Sequence, residues 1–572
     1  MKKIFAIVLT LCLTLFSVGC SGTTQQHSDK TVIKVVNYDG GVGTKWLKDA
    51  AARFEAEYAD VSFENGKTGV YVDVKPDSIV HASTMLNSGY NVYFDENSSI
   101  HSAIDAGFAM DISDIVTEKD ETRDGEPISI EDKIDPTYRS LLQGNDGKYY
   151  ALPHYEWSPG CAYDVDVFTQ KRLFFADSAN DGDYYSSNSF GEAYFTDGLN
   201  EKKSCGPDGE YGTDDDGLPS TLKELALLCE YMKSRKGVIP FQMSGLYTGG
   251  FNQFTSALWA SLAGYDEIRT AFTFDGEVEI VTGFSNELLF PNINYIYKPI
   301  TQKVTVTEGS GYNAFNSVSR YYAVAFASMI YKEGWLSTDA TDTSVTHIGA
   351  ESRFIRGLKN GKPMGFLMTG SYWYNESDVA GNFDDYYKYD ATDDSERIVA
   401  WMSLPTSFDT KTTEHNGRKP VNVDTAYSFC YINNNISKNA ALVKACKEFV
   451  KFLYRDSELT AFTLSTGIGK SALDYSVPED ELEKLPVYKQ RLWHMRSGGS
   501  NVYCNAENET FKSLKVSLCL RSGHFALTPV IEGTTYSNFL RTFTNNKTVQ
   551  EAFLGSGMTK GGWSSLCKVA VE

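Results

Sequence analysis

The chain has 572 residues and a formal net charge of −21, with 42% hydrophobic, 13% aromatic and 22% charged residues. That apolar fraction sustains a packed core and excludes wholesale disorder. So acidic a chain also excludes nucleic acid as its main partner, because phosphate binding needs a basic face. The length corresponds to about three or four domains, or to fewer large ones.

Met1-Lys2-Lys3 precedes an apolar run from Ile4 to Phe16 and then Ser17-Val18-Gly19-Cys20. A basic start, a short apolar stretch and small residues describe a secretory leader over residues 1–19, too short to span a bilayer permanently. Cys20 resembles the lipid-modified cysteine of a bacterial lipobox, with Ser17 departing from the usual leucine. Residues 20–30 then read as anchor and polar tether; the alternative is ordinary secretion with Cys20 a free thiol. Cleavage removes Lys2 and Lys3 and leaves a charge of −23. The remaining cysteines show no CxxC and no zinc spacing, and Cys229 and Cys446 fall on apolar helix faces, which favours buried thiols.

Val32–Val36 is expected as a strand, followed by Trp46, Leu47, Ala50, Ala51 and Phe54 at helical spacing. Val70, Val72 and Val74 alternate as a strand, a helix is expected near Ala82–Leu86, and Val92–Phe94 is another strand. This β-α-β-α-β order opens a parallel α/β layer, whose ligands sit beyond the carboxyl ends of the strands. Tyr38 and Asp39 occupy that place after the first strand, and Asp95 and Glu96 after the third. Further along, Thr221–Glu224 is a capping box heading an apolar helix, and helices are expected at Ser256–Leu262 and Tyr321–Glu333. Strands follow at Lys362–Met368 and Ile398–Leu404, then a helix carrying Leu442, Ala445, Cys446, Phe449 and Phe452. Trp259 fits a helix core face.

The stretch 180–217 is polar, turn-rich and acidic, and reads as a long loop insertion. Asp208, Glu210, Asp214 and Asp216 could wrap a structural Ca²⁺, which takes six to eight oxygens; the alternative is a solvated Asp/Gly turn. The chain lacks H-E-x-x-H and G-x-S-x-G. Gly469-Lys470-Ser471 imitates the end of a P-loop, but Leu464 stands where the first glycine is needed, so it is rejected. Glu156 beside Trp157 is the one carboxylate with neighbours suited to glycoside hydrolysis.

The ordered landmarks Asn91–Asp95, Tyr149–Pro153, Ala162–Phe168, Asn360–Met364, Gly370–Trp373 and Ser403–Thr406 resemble the extracellular solute-binding lipoproteins of carbohydrate ABC importers, of the family 1 type. The resemblance covers Thr31 to Trp563. It implies an α/β, two-lobed fold of the periplasmic-binding-protein-like type II, with discontinuous lobes joined by a hinge and the ligand cleft between them. One lobe would comprise 31–155 and 420–475, the other 156–405 and 480–572, with crossings near His154–Gly160, Pro405–Val421 and after Gly469. The ligand would be a mono- or oligosaccharide, trapped by hinge closure and passed to permease subunits in the membrane. The implied site residues are Tyr38, Asp39, Asp95 and Glu96, then Tyr155, Glu156 and Trp157 on the crossing, and Tyr247, Tyr372 and Trp373 in the second lobe. Carboxylates there accept hydrogen bonds from sugar hydroxyls, and aromatic rings cover the C–H face of a pyranose. The resemblance further implies a monomer at the outer face of a Gram-positive cell membrane, with no catalytic residues and no required cofactor. Two alternatives stay open: a membrane-anchored carbohydrate-active enzyme, and a binding protein for a non-sugar solute.

Overall fold

Runs of alternating Val, Ile and aromatic residues supply the strands of two sheets, and amphipathic helices cover them. The structure is a computed structural model that describes residues 27–38, 40–77, 85, 88–96, 100–391, 395–410, 421–424, 428–503 and 539–567. The strands of the two sheets are β1 (Thr31–Tyr38), β2 (Val70–Asp77), β3 (Val92–Glu96), β4 (Leu152–Pro153), β5 (Pro159–Asp164), β6 (Ile239–Gln242), β7 (Met364–Gly370), β8 (Val399–Trp401) and β9 (Ser428–Ile432).

The first sheet has the order β2-β1-β3-β9-β4, with β1 parallel to β2 and β3, and β9 antiparallel to β3 and β4. The second has the order β6-β7-β5-β8, with β6 parallel to β7, and β5 antiparallel to β7 and β8. In each sheet the antiparallel strand is the first to arrive from the other: β5 leaves β4 through residues 154–158, and β9 follows β8. Each sheet therefore receives one strand against its own direction, and the carboxyl ends of β1, β6 and β7 are left to face a common space. A short parallel ribbon, Val421–Asp424 with Ser500–Tyr503, lies beside the crossings.

The helices follow from their spacing. Helix α1 (Lys45–Glu57) buries Trp46, Leu47, Ala50, Ala51 and Phe54, one face at the expected period. At the helix Leu222–Tyr231, the Thr221 and Glu224 side chains each accept the other's backbone N–H at 3.1 Å, which makes the capping box. Helix α2 (Gly249–Thr273) contains the expected segment 256–262 and bends at Gly264, whose φ of 74° breaks the helical path. Trp259 lies in the core, its Nε1 donating to Ser317 Oγ at 3.2 Å. Cys229 and Cys446 are buried free thiols, as are Cys161 and Cys430.

Two regions differ from the sequence reading. The stretch 180–217 is not all loop. Asp183–Ser187 and Gly191–Thr196 pair antiparallel, and the latter also pairs with Phe174–Ala176. Tyr185 and Phe195 point inward against Tyr231, while Arg172 gathers Asp183, Asp197 and Glu201 at 2.9, 3.0 and 2.5 Å. Isolated aromatics among Asp and Ser concealed the alternation. The long hairpin Gly276–Leu288 with Tyr297–Val306 was also not anticipated. Its outer positions are charged, so its apolar period is short-ranged and easily overlooked. The leader, Cys20 and most of the helix expected near Ala82–Leu86 lie outside the described residues.

Candidate functional site

A cleft of about 500 Å³ opens at the carboxyl ends of β1, β6 and β7. Tyr38, the last residue of β1, forms its wall on the first-sheet side. The loop after β6 adds Ser244, Leu246 and Tyr247, and the first turn of α2 adds Gln253. Residues following β7 bring Tyr372 and Glu376, and the helix His347–Arg356 brings His347 and Glu351. This volume falls inside the range of small-molecule sites, roughly 300–1,000 Å³.

Three of the expected residues, Tyr38, Tyr247 and Tyr372, meet in this cleft. Tyr247 is 58% exposed at the rim and packs edge-on against His347 at 5.4 Å between centroids. Tyr372 is backed by Trp157, the rings stacked at 6.1 Å and 21°. The backing requires Gly370, since a Cβ there would stand 2.3 Å from Trp157 Nε1 and 2.7 Å from the Tyr372 ring.

Those of the other expected residues whose side chains are described need correction. Helix α3 (Trp373–Val379) does begin where a stacking tryptophan was placed, but Trp373 is 0% exposed and packs into the core against Phe354, Phe383 and Tyr488. Neighbours at a helix start diverge by about 100°, so Tyr372 faces the cleft and Trp373 turns away from it. Trp157 is also buried, as support for Tyr372 and not as a ligand surface. Tyr155 is buried edge-on against His154. Asp95 is buried in the first sheet, where its neighbourhood raises the Tyr431 hydroxyl well above its ordinary pKa, burial being the larger cause. Asp39 and the Glu96 side chain lie outside the described residues.

Glu156 belongs to the hinge. Its Oε2 accepts Arg496 Nε at 2.8 Å, and its backbone N–H donates to the Gly469 carbonyl at 3.0 Å. Burial raises its pKa and the Arg496 charge opposes the rise. Arg496 lies on helix α4 (Val487–Gly498) and also donates to the carbonyls of Lys470 and Leu473 at 3.0 and 2.7 Å. One guanidinium thus ties the first crossing to the third. The middle crossing joins through Ser471, which donates to Asp424, and through Asn422, which donates to the Met495 carbonyl at 2.8 Å. Lys470, the P-loop imitation, is fully buried with its Nζ 3.0 Å from His154 Nδ1 and 4.3–4.5 Å above the Phe462 and Trp46 rings.

The residues proposed for calcium do not assemble. Asp214 faces His494 Nδ1 at 2.7 Å, Asp216 accepts the Gly212 N–H at 2.8 Å, and Asp208 accepts the Glu210 N–H at 2.8 Å. Among the described residues no group of three or more His, Cys, Asp or Glu is placed to hold a metal ion.

Glu351 and Glu376 were missed. Glu376 Oε1 accepts the N–H of Gly41 at 2.9 Å, a contact across the cleft from the loop after β1. Gly41 sits at φ 62°, a conformation glycine adopts without cost. Glu351 is 2% exposed and its Oε2 accepts the Ser377 hydroxyl at 2.7 Å. Burial pushes the Glu376 carboxyl up to about 7 against the pull of the Gly41 bond. Burial and the neighbouring Glu376 charge raise Glu351 well above the carboxylate range. The available signals were His347 and Glu351 four apart after the capping Thr346, and Glu376 one turn past Tyr372.

No protein-family model matches the sequence, and no curated protein matches it. Solved structures do. A chitin oligosaccharide binding protein superposes with a TM-score of 0.52 at 13% identity, over 93% of this chain and 99% of that one. A binding protein from Bacillus subtilis in an open conformation gives a TM-score of 0.45 at 12% identity, over 95% and 98%. The first likeness establishes the fold: the chain shares the two-lobed α/β architecture of that protein over nearly its whole length.

Proposed function

We propose that this chain is a non-catalytic carbohydrate receptor, anchored outside the cell through Cys20, that captures a mono- or oligosaccharide between its lobes and delivers it to an ABC permease. The observation that carries this reading is the cleft itself, where Tyr38 from one lobe opposes Tyr247 and Tyr372 from the other. Aromatic faces on both walls suit a pyranose, and the polar groups between them suit its hydroxyl edge. The Gly41–Glu376 bond across the cleft fits a closure that ligand would stabilise, which a permease can read as a population shift. The ligand class of the first structural neighbour, a chitin oligosaccharide, points the same way.

An enzyme reading loses Glu156, which pairs with Arg496 in the hinge and does not line the cleft. It would have to rest on Glu351 and Glu376. Incubating the mature protein with end-labelled oligosaccharides, chitin fragments included, tests both readings. Retention of intact label is expected. Shortened products in stoichiometric excess over protein would replace the receptor by a glycosidase.

A further inference from the structure

The described residues lining the cleft include two carboxyl groups, the buried Glu351 and the half-buried Glu376, and neither a lysine nor an arginine. Burial lowers the pKa of His347, the one imidazole among the described lining residues. The two carboxyls stand on separate helices, each fixed by a single donor: Ser377 on Glu351 Oε2, and the Gly41 N–H on Glu376 Oε1. Their second oxygens meet no donor among the described residues, although Glu351 is almost entirely enclosed. Burial disfavours the charged form of both carboxyls, and the Glu376 charge adds to this at Glu351, so the cleft lacks a positive charge that would let the pair ionise.

We infer that Glu351 and Glu376 are specificity residues that read a protonated amine on the sugar, so that the preferred ligand is an amino sugar and acidic sugars are rejected. This rests on the proposed carbohydrate function and adds the substrate class. An ammonium supplies three donors and one positive charge to the two free oxygens, and charge-assisted bonds of this kind are about twice as strong as neutral ones. A neutral hydroxyl can bond the same oxygens but brings no charge that favours their ionised form. A uronate would bring a negative charge against two acidic groups, with no lysine or arginine among the described lining residues to meet it.

The test is calorimetric titration of the mature protein at neutral pH with di- and trisaccharides of one linkage in three series: neutral, 2-amino-2-deoxy and uronate. The amino series is expected to bind at least tenfold tighter than the neutral series, with the uronates weakest. Glu376→Gln and Glu351→Gln should each bring the ratio of amino to neutral affinity to within a few-fold of one. Glu376, partly exposed, provides the variant that keeps the test open should Glu351→Gln misfold. Neutral sugars binding as well as amino sugars, or a preference untouched by Glu376→Gln, would overturn the inference and leave the carbohydrate reading standing. Binding of no series by folded protein would overturn both.

Discussion

At the scale of single residues, the division of labour between Tyr372 and Trp373 is a matter of 100° of helical rotation. Trp373 fills core volume, so Trp373→Ala should destabilise the protein by about 3–5 kcal/mol, as large aromatic truncations do. Tyr372→Ala, at the cleft wall, should leave the melting temperature nearly unchanged. Thermal melts of the two variants check this, and equal melting temperatures would place both side chains in one environment. Lys470 offers a second test. Burial lowers its pKa from 10.5 to about 7, so the folded protein holds it neutral where the unfolded chain holds it charged. Between pH 7 and about 10.5 the unfolded state binds the extra proton, and stability from this site rises with pH; below 7 both states are charged and the dependence flattens. Lys470→Met should therefore stabilise the protein at pH 7, with a gap over wild type that narrows toward pH 10. A gap independent of pH would mean that the lysine is charged in the fold.

At the scale of elements, the strongly periodic segments were legible. α1 buries the five residues its spacing selected, and the carboxyl ends of the β-strands mark the cleft, because ligand position in an α/β layer follows from topology. Orientation within a turn was not legible, because whether Tyr372 or Trp373 faces the cleft depends on what packs behind the helix. Nor were Glu351 and Glu376, which come together only where the helices on either side of β7 dock. The hairpin Gly276–Leu288/Tyr297–Val306 escaped because its charged outer positions dilute the alternation. The acidic segment 206–217 is held by its own backbone N–H groups and by His494, whose pKa Asp214 and Glu479 raise against burial. A chelator should consequently leave the melting temperature unchanged. A fall of several degrees, restored by calcium, would return the carboxylates to a metal role.

At the scale of the whole molecule, the hinge is a knot of polar bonds among three crossings, with Arg496 at its centre. Arg496→Met would strand Glu156 and two carbonyls, and loss of one partner of so enclosed a pair costs up to about 3 kcal/mol. The central claim is that sugar binds between the lobes, against Tyr38, Tyr247 and Tyr372. Parallel calorimetric titrations of a broad oligosaccharide panel into the mature wild-type chain and into Tyr372→Ala test it most directly. At least one glycan should bind the wild type and lose tenfold or more in the variant, about 1.4 kcal/mol. A folded wild type that binds no glycan, or a variant that binds the best glycan as tightly as wild type, would contradict it.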